Sequence, residues 1–195
     1  MKKLLFSLIA TILVSSVSFS QDFDKILNDS DFEAYLIAYD KEVKLPKDYN
    51  KIKELMSDDK IDENEIKDIH EYLGYESYDA YISNLALQAN LLEKLENRYT
   101  LSQYTQEELA DLFDAGFTMY KMDTIGTIGM AGTNCGRRLR NCHGLALAVA
   151  VGAHIACGPA DVTIIIGLMC HSAATGAHYL MLDNCNLDYQ DCIRG

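Results

Sequence analysis

Between Asp31 and Ala115, apolar residues recur every three or four positions with mostly acidic residues between them, the period of helices that bury one face. The spacing predicts helices over 31–41, 48–57, 63–73, 78–98 and 106–115. Boundary chemistry supports this division. Asp62 with Glu65, and Thr105 with Glu108, have the three-residue separation of a capping box, in which a side-chain oxygen meets orphan amides of the first turn. Gly74 and Gly116 are placed to stop helices in the left-handed conformation, and Pro46 separates the first two helices. No alternation of β-branched residues precedes residue 160, so the predicted fold class is all-α.

The hydropathy pattern breaks in two places. Residues 1–20, MKKLLFSLIATILVSSVSFS, pass from Lys2 and Lys3 through an apolar run to Ser18 and Ser20, the order of a secretory signal peptide with cleavage after Ser20. The apolar run is short for a retained membrane span, and no cysteine lies near the cleavage point to carry a lipid anchor. A secreted protein, extracellular or periplasmic, is expected. The second break is DTIGTIGMAGTNCG, residues 123–136, where four glycines and almost no charge disfavour a continuous helix. Residues 123–134 are read as a linker between an acidic helical domain, 21–122, and a cysteine-rich part, 135–195. It either joins two packed parts or is the place where a protease separates them.

Charge divides at the same boundary. Residues 22–132 carry 25 acidic and 11 basic side chains, net −14, whereas residues 133–195 carry four of each. An acidic N-terminal part is the wrong sign for nucleic-acid binding, and no nucleic-acid partner is expected. The acidic run SDDKIDENE does not make a calcium loop: with Glu65 as last ligand, Met56 would fall at a ligand position and Asp59 where the sharp turn needs glycine.

All six cysteines lie in the C-terminal part, and an even number in an exported chain reads as disulfides. Cys135, Cys142, Cys157, Cys170, Cys185 and Cys192 are separated by 6, 14, 12, 14 and 6 residues, a palindrome. Pairing Cys135 with Cys192, Cys142 with Cys185 and Cys157 with Cys170 therefore gives three pairs whose positions add to one number. That constancy is what an antiparallel helical hairpin requires of residues level with each other. At 100° per residue, Cys142 and Cys157 fall about 20° and 40° from Cys135, so each arm presents its cysteines to one seam. Gly158 and Pro159 stop the first arm and Asp161 can cap the second. Disulfides bring Cα atoms closer than ordinary helix packing does, and small residues should fill the seam, Ala150 facing Ala177 and Ala153 facing Ala174.

Opposite the cysteines, Leu147, Val151 and Ile155 on the first arm and Ile165, Leu168, Tyr179 and Leu182 on the second form an apolar face. Something must cover it: the acidic helices, another copy, a protein partner or bacterial membrane lipid. Ser172, Thr175 and Asp183 interrupt it, which speaks against a permanent span. Arg137, Arg138 and Arg140 begin the first arm level with Asp188 and Asp191 at the end of the second, so they either form salt bridges there or meet anionic headgroups.

The nesting of the six cysteines resembles that of saposin-like proteins, which pair first with last, second with fifth and third with fourth around amphipathic helices that act on lipids. The likeness covers residues 135–192, and the long helical stretches of that family between its second and third and its fourth and fifth cysteines are missing here. The order of an acidic helical part and a compact apolar cysteine-rich tail is similar to that of secreted bacteriocin precursors, without the adjacent glycine pair of the common leader cleavage site. These resemblances imply a secreted membrane-active, bacteriocin-like toxin precursor with the stapled hairpin as its active part. The alternative is a non-enzymatic secreted binding or structural protein with the hairpin packed permanently on the acidic helices.

An enzyme is not expected. The chain has no G-x-S-x-G, no H-E-x-x-H and no C-x-x-C. Cys142–His143 and Cys170–His171 are neighbours that point about 100° apart on a helix, and bridged cysteines cannot act as nucleophiles. His154, His171 and His178 have no metal-site spacing, so neither metal nor cofactor is expected.

Overall fold

The computed structural model describes residues 22–57, 63–120, 122, 133–158 and 165–194. The expected secretory signal, Asp62 as a cap, most of the expected linker, Pro159 and Asp161 lie outside the described residues. The chain is all-α, and among the described residues there is no strand. Its helices are α1 (residues 22–27), α2 (Ser30–Val43), α3 (Tyr49–Ser57), α4 (Glu63–Tyr72), α5 (Tyr78–Tyr99), α6 (Gln106–Met119), α7 (Asn134–Cys157) and α8 (Ile165–Arg194), with a short 3₁₀ turn at Leu101–Gln103.

Side-chain caps set most of the starts. Asp29, Ser77 and Thr133 accept backbone amides of α2, α5 and α7, and Thr105 with Glu108 completes the predicted capping box of α6. Gly74 stops α4 with φ +80°, where a side chain would also meet the Pro46 carbonyl, and Gly158 stops α7 with φ +72°. α5 instead ends on a non-glycine, Thr100, at φ 51°. Gly116 corrects the sequence reading. α6 runs through it to Met119, and the glycine lets α6 approach α2 so closely that a Cβ there would sit 2.7 Å from Leu36 and 2.8 Å from Phe32. Gly116→Val is therefore expected to destabilise the protein by about 1–3 kcal/mol through overpacking, read as a lower urea midpoint at unchanged m. A neutral result would show that the α2–α6 contact yields freely.

α7 and α8 form the antiparallel hairpin, joined by Cys135–Cys192, Cys142–Cys185 and Cys157–Cys170, each with Cα atoms 5.8 Å apart. No described cysteine is free. The hairpin lies at the centre of the fold with its apolar face turned inward, and along its cysteine seam Cys185 is buried while the other cysteines are partly or fully exposed. Cys170 and Ala177 are exposed, while Ala150 and Ala174 are buried.

Two cores flank this centre. In one, Leu147, Ala148 and Val151 of α7 pack with Ile26, Phe32, Leu36, Leu95, Leu112 and Phe113. In the other, Ala146, Leu168, Tyr179 and Leu182 pack with Ile52, Leu55, Ile69, Leu73, Tyr81 and Leu85. Glycines permit the approach: Gly144 sits against Ala110 of α6, and Gly176 against Met56 of α3. Both cores thus draw on hairpin and acidic helices together.

Candidate functional site: a polar seam beneath the hairpin

The residues predicted to face lipid or a partner are the residues that α2–α6 cover. Leu147, Val151, Leu168, Tyr179 and Leu182 are each at most 6% exposed, and Ile155 is half-buried against the first core. The side chain of Ile165 lies outside the described residues. Periodicity placed Leu147, Val151, Leu168, Tyr179 and Leu182 on one stripe, and all five are buried. What it could not contain was the direction in which the stripe faces, because a helix pattern does not say which neighbour covers it.

The arginines also find other partners. Arg140 pairs with Asp114 of α6 at 3.2 Å, tying the hairpin to an acidic helix. Arg137 donates to Asn134 within its own first turn. Arg138 lines a groove of about 340 Å³ with Asp188, Asp191 and the two outer disulfides, but among the described residues none of the three arginines forms an ion pair with α8.

Within the apolar contact runs a line of polar groups. Glu42, in the last turn of α2, is 7% exposed. Its Oε1 accepts from Tyr179 Oη at 3.0 Å, and its Oε2 accepts from Asn84 Nδ2 at 2.8 Å and from Gln88 Nε2. Asn84 also donates to Tyr75 Oη at 2.7 Å, extending the network along α5. Lys47 donates to the Glu42 and Leu45 carbonyls and lies 4.7 Å from the Tyr179 ring centre. Burial lowers the Lys47 pKa to about 8, against the attraction of Glu42. Burial likewise raises Tyr39 and Tyr179, with Glu42 adding to both, so these phenols are protonated donors at neutral pH.

Two hairpin histidines, His154 and His178, line the same seam. His178 Nδ1 is 3.1 Å from the Ala146 carbonyl and its Nε2 2.9 Å from Tyr39 Oη. A carbonyl only accepts, so Nδ1 carries the proton and Tyr39 donates to Nε2. His178 thereby links α2, α7 and α8. His154 and His171 stack with ring centres 5.1 Å apart and Nδ1 atoms 2.8 Å apart, beside the Cys157–Cys170 bridge. His143, on α7, is 7% exposed. Burial lowers the pKa of His143 and His178 to about 4 and that of His154 to about 3, and lowers His171 as well. Tyr81 Oη and Ser172 Oγ, 2.8 Å apart, make a further link from α5 to α8.

A cavity of about 20 Å³, lined by Tyr35, Tyr39, Glu42, Gln88, His154 and His178 among others, lies inside the seam. That volume is the size of one water site. Among the described residues, no three His, Cys, Asp or Glu side chains are arranged to hold a metal, and no helix is long and apolar enough to cross a membrane.

Glu42 was missed by the sequence reading, which did not single it out among the 25 acidic residues of 22–132. A signal existed: Tyr35, Tyr39 and Glu42 follow the spacing of one buried helix face, and a carboxylate on such a stripe needs donors. The arrangement defines a class: an all-α protein built around a disulfide-stapled hairpin, with a hydrogen-bonded polar seam between hairpin and acidic helices. No protein-family model, curated protein or solved structure matches the chain.

Proposed function

We propose that this chain is an exported precursor in which the acidic helices hold a membrane-active, bacteriocin-like hairpin latent by covering its apolar face. One observation carries the reading: all three disulfides lie within residues 135–192, and none joins the hairpin to the acidic helices. The hairpin's covalent frame is independent of its cover, which is held by packing, hydrogen bonds and the Arg140–Asp114 pair. Uncovering it would present Leu147, Val151, Ile155, Leu168, Tyr179 and Leu182 on one side of a rigid staple. Exposed Arg137 and Arg138 at its open end would suit anionic headgroups.

A second reading rests on the shared cores. Leu147, Ala148 and Val151 complete the first core and Ala146, Leu168, Tyr179 and Leu182 the second, as expected of a secreted non-enzymatic binding or structural protein that never releases the hairpin. The two readings separate on cutting the oxidised full-length protein at a protease site introduced within residues 123–132. Latency predicts that the cut protein releases dye from anionic vesicles at neutral pH while the uncut protein does not. Halves that co-elute after cutting, with no leakage, would support permanent packing instead.

A further inference from the structure

We propose that the seam is an acid-sensitive latch, in which protonation of His154, His171 and His178 unseats the stapled hairpin from the acidic helices and exposes its apolar face. The geometry supplies the mechanism. His154 and His171 share one hydrogen bond between Nδ1 atoms 2.8 Å apart, so only one of the two atoms carries a proton. A proton on each Nδ1 would set two N–H groups against each other with one ring charged, and protonation of both rings would oppose two positive charges. His171 is fully buried and its Nε2 makes no hydrogen bond in the closed form; the nearby Gly158 backbone favours a proton on this ring, but burial outweighs it. At His178, a proton on Nε2 would require the Tyr39 hydroxyl, which now donates to it, to turn its own proton away and accept.

The surroundings do not neutralise these charges. His178 and His154 share the small cavity with Tyr35, Tyr39 and Glu42 of α2 and Gln88 of α5. Glu42 is its one carboxylate, and its oxygens already accept from Tyr179, Asn84 and Gln88. Lys47, following α2, and His143, on α7, both oppose a positive charge on His178, while His171 and His178 oppose one on His154. The disulfide beside the stacked pair holds α7 to α8, so these two helices cannot part to relieve the repulsion. The remaining relief is movement of the hairpin as a unit, away from α2 and into water. Each histidine has its pKa lowered on folding, so its contribution to stability is complete above the unfolded value near 6.5 and is lost as pH falls below it, toward about 3 for His154 and about 4 for His178.

This proposal names the regulation of the face described above, and only its lipid consequence rests on the latent-hairpin reading. The test uses the oxidised full-length protein from pH 7.5 to 3.5, first without lipid, following hydrophobic-dye binding and far-ultraviolet circular dichroism. Dye binding should rise with a midpoint between pH 6.5 and 4 while helicity is retained. The triple variant His154→Gln, His171→Gln, His178→Gln should lower that midpoint by at least one pH unit. Opening of the variant at the wild-type pH, or a wild type still closed at pH 4, would overturn the latch. Should the triple variant not fold, the histidine C–H resonances of the wild-type protein decide: titration of all three near pH 6.5 in the closed form refutes the proposal, and resistance to protonation until opening supports it. A final arm adds phosphatidylglycerol–phosphatidylcholine vesicles. Acid opening without vesicle binding leaves the latch and removes the membrane reading; leakage by the cut protein at pH 7.5 with no acid opening does the reverse.

Discussion

Val151→Asp in the full-length protein is expected to abolish the native fold, with a loss of about 5 kcal/mol, comparable to the whole stability of many domains. Val151 is fully buried among α2, α6 and α7, in the core that contains Phe32, Leu36 and Phe113. A carboxylate there loses its hydration, and no cation is among the residues of that core. Val151→Ala separates this effect from loss of size, since it removes apolar contact alone and should cost about 2 kcal/mol. Urea denaturation followed by circular dichroism measures both. The disulfides add a second signature: the aspartate variant should keep part of its helical signal, because α7 and α8 remain stapled when their cover is lost. A variant that melts like wild type would mean that the acidic helices do not hold this face.

The hairpin was legible in the sequence to the level of its pairing because two constraints coincide. Antiparallel helices keep the sum of level positions constant, and disulfides need those positions on one seam; six cysteines satisfy both in one way. Apart from α1, which was not predicted, the helices of the acidic part were legible from their periodicity and caps to within a few residues. Gly116 was misread because a glycine near a helix end has two uses, left-handed φ and close approach, and one sequence does not distinguish them. The seam was largely hidden. Its groups come from α2, α5, α7 and α8, and nothing local in any of these helices records that Tyr39 meets His178 or that Glu42 meets Tyr179. His154 and His171 are the exception. They flank the Cys157–Cys170 bridge, and once that bridge is drawn the hairpin register brings the two rings together.

Glu42→Ala should be the most damaging change to a charged side chain of the acidic part. It leaves the buried Tyr179 hydroxyl and the half-buried Gln88 amide without their acceptor and takes one of two partners from the half-buried Asn84 amide. A buried donor deprived of its partner costs about 1–3 kcal/mol, and because the three are coupled through one carboxylate, a total near 4 kcal/mol is expected rather than the full sum. Lys47 should respond too. Its pKa is already lowered to about 8 by burial against the opposing pull of Glu42, so removing the carboxylate should lower it further and make the variant lose stability more steeply as pH falls below the lysine's unfolded value. Glu42→Gln discriminates shape from hydrogen bonding: turned so that its oxygen accepts from Asn84 and Gln88, its amide can donate to the Tyr179 oxygen, and the loss should stay near 1 kcal/mol. Double-mutant cycles with Tyr179→Phe should then return a coupling of about 1–3 kcal/mol for the bond between α2 and α8. Independent effects of the two substitutions, or a Glu42→Ala loss below about 1 kcal/mol, would show that apolar contact alone seats the hairpin and that the polar seam contributes no hold of its own.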